Sequence, residues 1–188
     1  MTIPLTYPVF KREIANNMYQ ASAYFLAKLV ASILTFFIYP LLCTTFTIWF
    51  FGLQVLTFKT FCSWWLDLSL VAFVGSAFGM MLGCLLTDGM SAILVNNVFV
   101  ILFSLGGGLL INVNSSFVAK FLGWVSPFKY GSELILRRLL DGQNSDASDE
   151  VLNFLGYQVG SATCIWTLIM MYLGCIGVGL VALVFRAK

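Results

Sequence analysis

Few residues of this chain can do polar chemistry, and their spacing says which kinds. Glu133 and Arg137 stand four apart in GWVSPFKYGSELILRR, residues 123–138, the separation at which a carboxylate and a guanidinium pair on one helix face. Asp67 closes the run FCSWWLD, and Asn96 and Asn97 fall inside an uncharged apolar run. No pattern for bond-making accompanies them. Histidine is absent, which removes an imidazole base, a histidine metal site and a histidine pH switch. Cys43, Cys62, Cys84, Cys164 and Cys175 stand singly, without the short paired spacings of a zinc or redox site, and read as small apolar residues of membrane helices. A phosphate-cradling G-x-x-x-x-G-K-[ST] loop does not occur. No catalytic residue and no metal ligand is therefore expected in the chain.

The elements that must position these groups follow from the solvent. With 60% hydrophobic and 10% charged residues and a mean hydropathy of +0.95, the composition is that of an integral, multi-pass membrane protein. A net charge of +2 implies no nucleic-acid partner. A crossing helix needs about 20 mostly apolar residues. Four runs qualify, 22–52, 61–86, 90–111 and 161–185, which makes the expected fold all-α with four transmembrane helices. An even count puts both ends on one side. Lys11, Arg12 and Lys28 at the start and Arg186 and Lys188 at the end point to cytoplasmic termini, but four basic residues between the last two runs, with Lys59, make the charge count a tie.

The connections hold the remaining information. Residues 8–20 form an amphipathic helix with Pro8 in its first turn and Phe10, Ile14 and Met18 along one face. It reads either as an interfacial lead-in or as a docking surface for a cytoplasmic partner. Residues 87–89, TDG, make a tight turn that forces the second and third spans antiparallel. Asp67 is either a functional buried carboxylate or, beside Trp64 and Trp65, an interfacial one. Asn96 and Asn97 face protein or a water-filled cavity, because facing lipid is costly, and Gly106–Gly107–Gly108 loosen the end of the third span. Residues 113–140 are too charged to cross and too apolar to float. Two short helices broken at Ser126–Pro127, with Phe117, Phe121 and Trp124 on the first and Tyr130 and Leu134 on the second, suit a re-entrant hairpin buried against protein. Its charges are expected as a Glu133–Arg137 pair plus cations near a membrane surface. The stretch DGQNSDASDEVLN after it reads as a polar loop.

Taken together, these stretches resemble the membrane domain of the G subfamily of ABC transporters, the white or pigment-precursor, sterol and drug half-transporters of the ABC-2 type. PVFKREIANNMYQASAYFLAKL is similar to that family's coupling helix and third membrane helix. GGGLLINVNSSFVAKFLGWVSPFKYGSELIL resembles its fifth-helix exit and re-entrant hairpin, with the aromatic-basic-Tyr-Gly signature at Lys129, Tyr130 and Gly131, and LNFLGYQ resembles the entry to its sixth helix. The resemblance implies that Phe10, Arg12, Glu13 and Tyr19 belong to a coupling helix docking on a nucleotide-binding domain. It implies cytoplasmic ends, an external loop at 141–160, a cavity wall at Asn97, Ile101 and Ser104, a plug at Leu109 and Leu110, and dimerisation with another half-transporter. By their own chemistry the two leucines read as readily as ordinary lipid-facing or core packing residues as they do as a plug.

Departures from that pattern bound the expectation. The phosphate loop and the family's first two membrane helices are missing, so ATP and Mg would be held by a nucleotide-binding domain outside these residues. The expected function is a portion of an ATP-driven transporter moving a lipophilic small-molecule substrate across the bilayer, as a fragment of a longer product. The alternative is a non-catalytic membrane subunit or truncated regulator that associates with complete half-transporters. A stand-alone carrier is disfavoured by the lack of paired intramembrane charges and of a repeat relating the two halves.

Overall fold

The computed structural model describes residues 12–13, 16, 18–51, 58–86, 88–107, 117–140, 151–157 and 159–187. Six helices order them: α1 (Ala21–Phe51), α2 (Phe58–Leu85), α3 (Gly89–Leu105), α4 (Phe117–Val125), α5 (Pro127–Leu140) and α6 (Ser161–Ala187). There is no strand among the described residues. Three helices are long and apolar enough to cross a membrane, over Ala21–Phe50, Phe58–Leu85 and Ser161–Phe185. Their flanks expose large side chains such as Trp49, Phe50, Phe58, Trp166 and Phe185, which only hydrocarbon makes inexpensive. The chain is an integral, multi-pass membrane protein.

The third expected span is shorter as a helix than as a hydropathic run. α3 has 17 residues and ends at Leu105, so it rises roughly 26 Å against a hydrocarbon core of about 30 Å. Gly106 closes it by donating to Leu102 O at 3.0 Å, and Gly107 tightens the turn by donating to Ser104 O at 3.2 Å. A Cβ on Gly106 would stand 3.0 Å from the backbone of Leu122, so glycine is what lets α4 come this close. The rest of that run, 108–111, lies outside the described residues, as does the loop at 141–150.

Two packed clusters hold the long helices. Phe25, Leu29, Cys84 and Leu183 join the start of α1 to the ends of α2 and α6. Val74, Tyr130, Leu134, Cys164 and Leu168 join α2, α5 and the start of α6. α2 is thus the central helix. α3 leans on it through an aromatic group in which the Phe78 ring centroid lies 5.3 Å from those of both Phe99 and Phe103. Pro40 lies inside α1 and frees a backbone carbonyl. Close by, Trp65 Nε1 donates to Phe37 O at 3.0 Å, which stitches α1 to α2 where water cannot solvate the backbone.

Local chemistry sets the shorter pieces. Ser126 breaks α4 from α5, and Pro127 takes the first position of α5, where its missing N–H costs nothing. Part of the expected polar loop is helical: residues 151–155 form a turn closed by Gly156 at φ 78°, with Gly156 N donating to Asn153 O at 3.1 Å and Tyr157 N to Leu152 O at 2.9 Å. That left-handed cap aims Tyr157 inward. At the other end of the bundle Asp88 caps α3, accepting from Ser91 N at 3.1 Å and Ser91 Oγ at 2.9 Å.

Two outcomes follow from this packing. Hydrogen bonds from Ser91 hold the Asp88 carboxyl below the usual carboxylate range, so its contribution to α3 is present above the unfolded value and is lost as pH falls through and below that range. The protection of the Ser91 amide, its intrinsic exchange rate relative to the observed rate at each pH, should therefore fall on acidification and lose that pH dependence in Asp88→Asn. A Cβ on Gly131 would run into Val71 Cγ2. Gly131→Ala should lower thermal stability in detergent by about 1–3 kcal/mol, the usual cost of overpacking, whereas Gly174→Ala, with open space around it, should be close to neutral.

Candidate functional site

A cleft of about 860 Å³ opens among α1, α2, α3, α6 and the α4–α5 hairpin, within the size range of small-molecule sites. Its lining is mainly apolar. Lys28 and Ser32 of α1 mark one end, opposite Met80 and Met81 of α2, and Val125, Pro127 and Phe128 of the hairpin close the other. Between them α3 contributes Asn96, Val100 and Phe103, with the Asn96 carboxamide over Gly79, where a Cβ would lie 3.8 Å from its Oδ1. The Lys28 ammonium lies 5.7 Å from the Tyr24 ring centroid. Such a wall accepts an apolar body and offers few polar contacts.

The hairpin that closes the cleft is fastened in two ways. To α2 it is held by charge: Arg138 Nε donates to Asp67 Oδ2, and its Nη2 donates to Oδ1 at 3.2 Å. Asp67 is 1% exposed. To the end of α3 it is held by hydroxyls: Ser126 Oγ donates to Phe103 O at 2.7 Å, Ser132 Oγ to Gly107 O at 3.0 Å, and Tyr157 OH to Gly107 O at 2.6 Å. The Tyr157 and Ser132 hydroxyls are 2.8 Å apart. These donors satisfy carbonyls that a helix C-terminus leaves without partners. Truncation costs differ between the two fastenings: removing one partner of a buried neutral hydrogen bond costs about 1–3 kcal/mol, and removing one partner of a buried ion pair about 3–5 kcal/mol.

Within the hairpin, Arg137 donates to Glu133 Oε1 through Nε at 3.1 Å and Nη2 at 2.9 Å. Glu133 is fully buried, and among the described residues its Oε2 has no hydrogen-bond partner. Arg137 Nη2 also reaches Tyr157 O at 3.4 Å. Tyr130 OH donates to Trp124 O at 3.0 Å across the Ser126–Pro127 break. Lys129 is 9% exposed and lies against the Tyr130 ring. The cations of this stretch therefore fold against protein. Phe121 and Trp124 are exposed and turn outward.

Lys129, Tyr130, Gly131, Glu133 and Arg137 thus come together at one end of the cleft. Asn97 and Ile101 are exposed, and half-buried Ser104 bonds its own helix at Ile101 O, 3.2 Å. They form a stripe rotated by one residue, about 100°, from the Asn96–Val100–Phe103 wall. Leu109, Leu110 and Phe10 lie outside the described residues. Arg12 is exposed, and Tyr19 OH donates to the Glu13 carboxylate. That bond raises the Tyr19 phenol to about 12. The link is intact below the ordinary tyrosine range and is lost as pH rises toward that value.

The sequence leaves Asp67 open to an interfacial reading; in the structure it is a buried, paired group. Its partner Arg138 lies 71 positions away, so no local pattern joins them. The available signal is energetic: a carboxylate inside an apolar helix needs a cation, and the only question is which. Sequence pattern does not single out Tyr157 as a functional candidate, although Gly156 before it marks the cap that orients it.

Long apolar helices around a cleft lined at one end by a charged, broken helix pair are those of a polytopic membrane protein. The ABC-2 type transporter family model matches residues 1–139, and the chain belongs to that family. It is 33% identical over 130 residues to "Protein white" of Ceratitis capitata, covering 69% of this chain and 19% of that protein. The match to "ABC transporter ATP-binding protein/permease wht-1" of Caenorhabditis elegans is 30% over 131 residues, covering 68% of this chain and 19% of that protein. "ABC transporter G family member 21" of Arabidopsis thaliana matches at 28% over 135 residues, 72% of this chain and 20% of that protein. The chain spans about one fifth of the length of the curated relatives it matches. The G-subfamily likeness drawn from the motifs is borne out by these relatives.

The two fastenings predict different mutational costs. Arg138→Gln strands the Asp67 carboxylate and should cost about 3 kcal/mol, the lower end of the buried-pair range because Arg138 is 31% exposed. Asp67→Asn/Arg138→Gln should cost less than the sum of the single changes, read as a double-mutant cycle of unfolding in detergent.

Proposed function

We propose that the chain forms the latter part of the transmembrane domain of an ATP-driven G-type half-transporter that moves a lipophilic substrate. The observation that carries this reading is the apolar cleft closed by a hairpin, in a chain of the ABC-2 type transporter family. α3 is taken as a fourth crossing completed by residues beyond Leu105, with both termini cytoplasmic and α4–α5 dipping into the opposite face and returning. Backbone inside that face is tolerable because the hairpin is covered by α2, α3 and α6.

The relative named as an ATP-binding protein/permease supports an energy source in a nucleotide-binding domain, in cis or in trans, which binds ATP and Mg. Residues 8–20, with Glu13 and Tyr19 linked, receive its push. The exposed Asn97–Ile101–Ser104 stripe then faces a second half-transporter, in a homo- or heterodimer, as the substrate wall, and Leu109 and Leu110 seal the pathway.

Inside-out vesicles carrying the full-length product test these roles with a panel of fluorescent lipid analogues and lipophilic dyes. ATP should drive accumulation of at least one. Glu13→Ala should cut accumulation by about tenfold or more while ATP hydrolysis continues, and Leu110→Ala should raise passive leak of the accumulated probe. Wild-type accumulation and retention in both variants at normal surface expression would remove these role assignments.

A further inference from the structure

The α4–α5 hairpin lines one end of the cleft with Val125, Pro127 and Phe128, and its three neighbours hold it differently: α2 and α6 through a cluster of buried side chains, α3 without one. On the α2 side stands a buried carboxylate–guanidinium pair, Asp67–Arg138. On the α3 side the polar ties among the described residues are hydroxyls on carbonyls, from Ser126, Ser132 and Tyr157 to Phe103 O and Gly107 O. A lid packed on α2 and α6 by buried side chains and joined to α3 by neutral hydrogen bonds and glycine contacts parts most readily on the α3 side. The α3 side is also where side chains are smallest, since Gly106 and Gly107 form the contact, and the Gly106 Cβ position is filled by Leu122 backbone.

We propose that Tyr157 is the positioning residue of this lid. Its phenol, with Ser132, latches the hairpin to the end of α3 over the closed cleft, and the latch parts on the α3 side while Asp67–Arg138 stays bound as the hinge. Tyr157 suits the role. It is 1% exposed, it is aimed by the left-handed Gly156, and its backbone carbonyl is held by Arg137 of α5. It therefore travels with the hairpin and releases only Gly107 O. Glycine at the acceptor leaves the carbonyl unhindered, and the exposed carbonyl finds water or headgroup once the lid lifts. This deepens the transport reading and rests on it for the direction in which the lid opens.

The test uses the full-length product in liposomes with Val74→Cys as reporter, a buried position on the cleft wall. A charged, membrane-impermeant methanethiosulfonate is applied from the hairpin side, and modification is read peptide by peptide by mass spectrometry. Buried Cys84, in the opposite packing cluster, serves as the internal control. Tyr157→Phe keeps the ring and removes the latch bond. It should speed modification of the reporter thiol about tenfold without nucleotide, the change that losing roughly 1.4 kcal/mol produces. It should leave Cys84 unmodified, and Ser132→Ala should act in the same direction. Vanadate trapping should raise the rate in the protein carrying the reporter alone to the Tyr157→Phe level and change the latch variant little. An unchanged reporter rate in both Tyr157→Phe and Ser132→Ala overturns the latch, as does a parallel rise at Cys84, which means general loosening. If both variants speed modification of the reporter but ATP and vanadate change nothing in any protein, the transport reading fails and the latch stands.

Discussion

A charge buried in an apolar bundle must find its counter-charge within the protein, and here Asp67 finds Arg138. Asp67 is buried and among the described residues has only this partner for its charge, so the pair commits the C-terminal end of α5 to a place on α2. Once α5 is set there, Gly131 meets Val71 without room for a methyl group, Tyr130 and Leu134 fill the space between α2 and α6, and Glu133 is sealed in with Arg137. The hairpin's remaining polar atoms then face the end of α3, whose carbonyls need donors. The hydroxyls of Ser126, Ser132 and Tyr157 supply them.

This order of dependence gives the site its mechanical character. α2, α6 and α5 share a packed cluster and the ion pair, whereas α3 is held by phenylalanine contacts and neutral hydrogen bonds. In hydrocarbon there is no hydrophobic drive between helices, so packing quality and polar bonds decide which contacts persist. The cleft wall made by α3 is consequently the wall most easily displaced. A transporter needs one such wall beside a stable frame.

Much of this architecture is legible from the sequence because the bilayer makes hydropathy nearly sufficient. α1, α2 and α6 fall within a few residues of the apolar runs 22–52, 61–86 and 161–185, and Ser126–Pro127 marks the helix break. The Glu133–Arg137 spacing gives the local pair that the helix then forms. Legibility ends where contacts become non-local. Asp67 and Arg138 are 71 positions apart, and Tyr157 reaches Gly107 across 50; periodicity carries no information about either. Hydropathy also misjudges α3, since Gly106 and Gly107 are apolar by scale yet end the helix at Leu105 to let α4 approach. Nor does hydropathy give the helical phase: the Phe99 and Phe103 contacts with Phe78 turn the Asn96 stripe into this cleft and leave Asn97 and Ile101 exposed.

Whether α3 crosses the membrane decides the sidedness of everything else, and one labelling experiment reads it directly. Cysteines at exposed Met18 and Phe121 and a tag after Lys188 can be probed in intact and permeabilised cells with an impermeant maleimide and an antibody. Four crossings predict that Met18→Cys and the tag react only after permeabilisation and that Phe121→Cys reacts in intact cells. A tag accessible in intact cells while Met18→Cys stays protected would mean three crossings, and the hairpin could not close the outer end of the cleft.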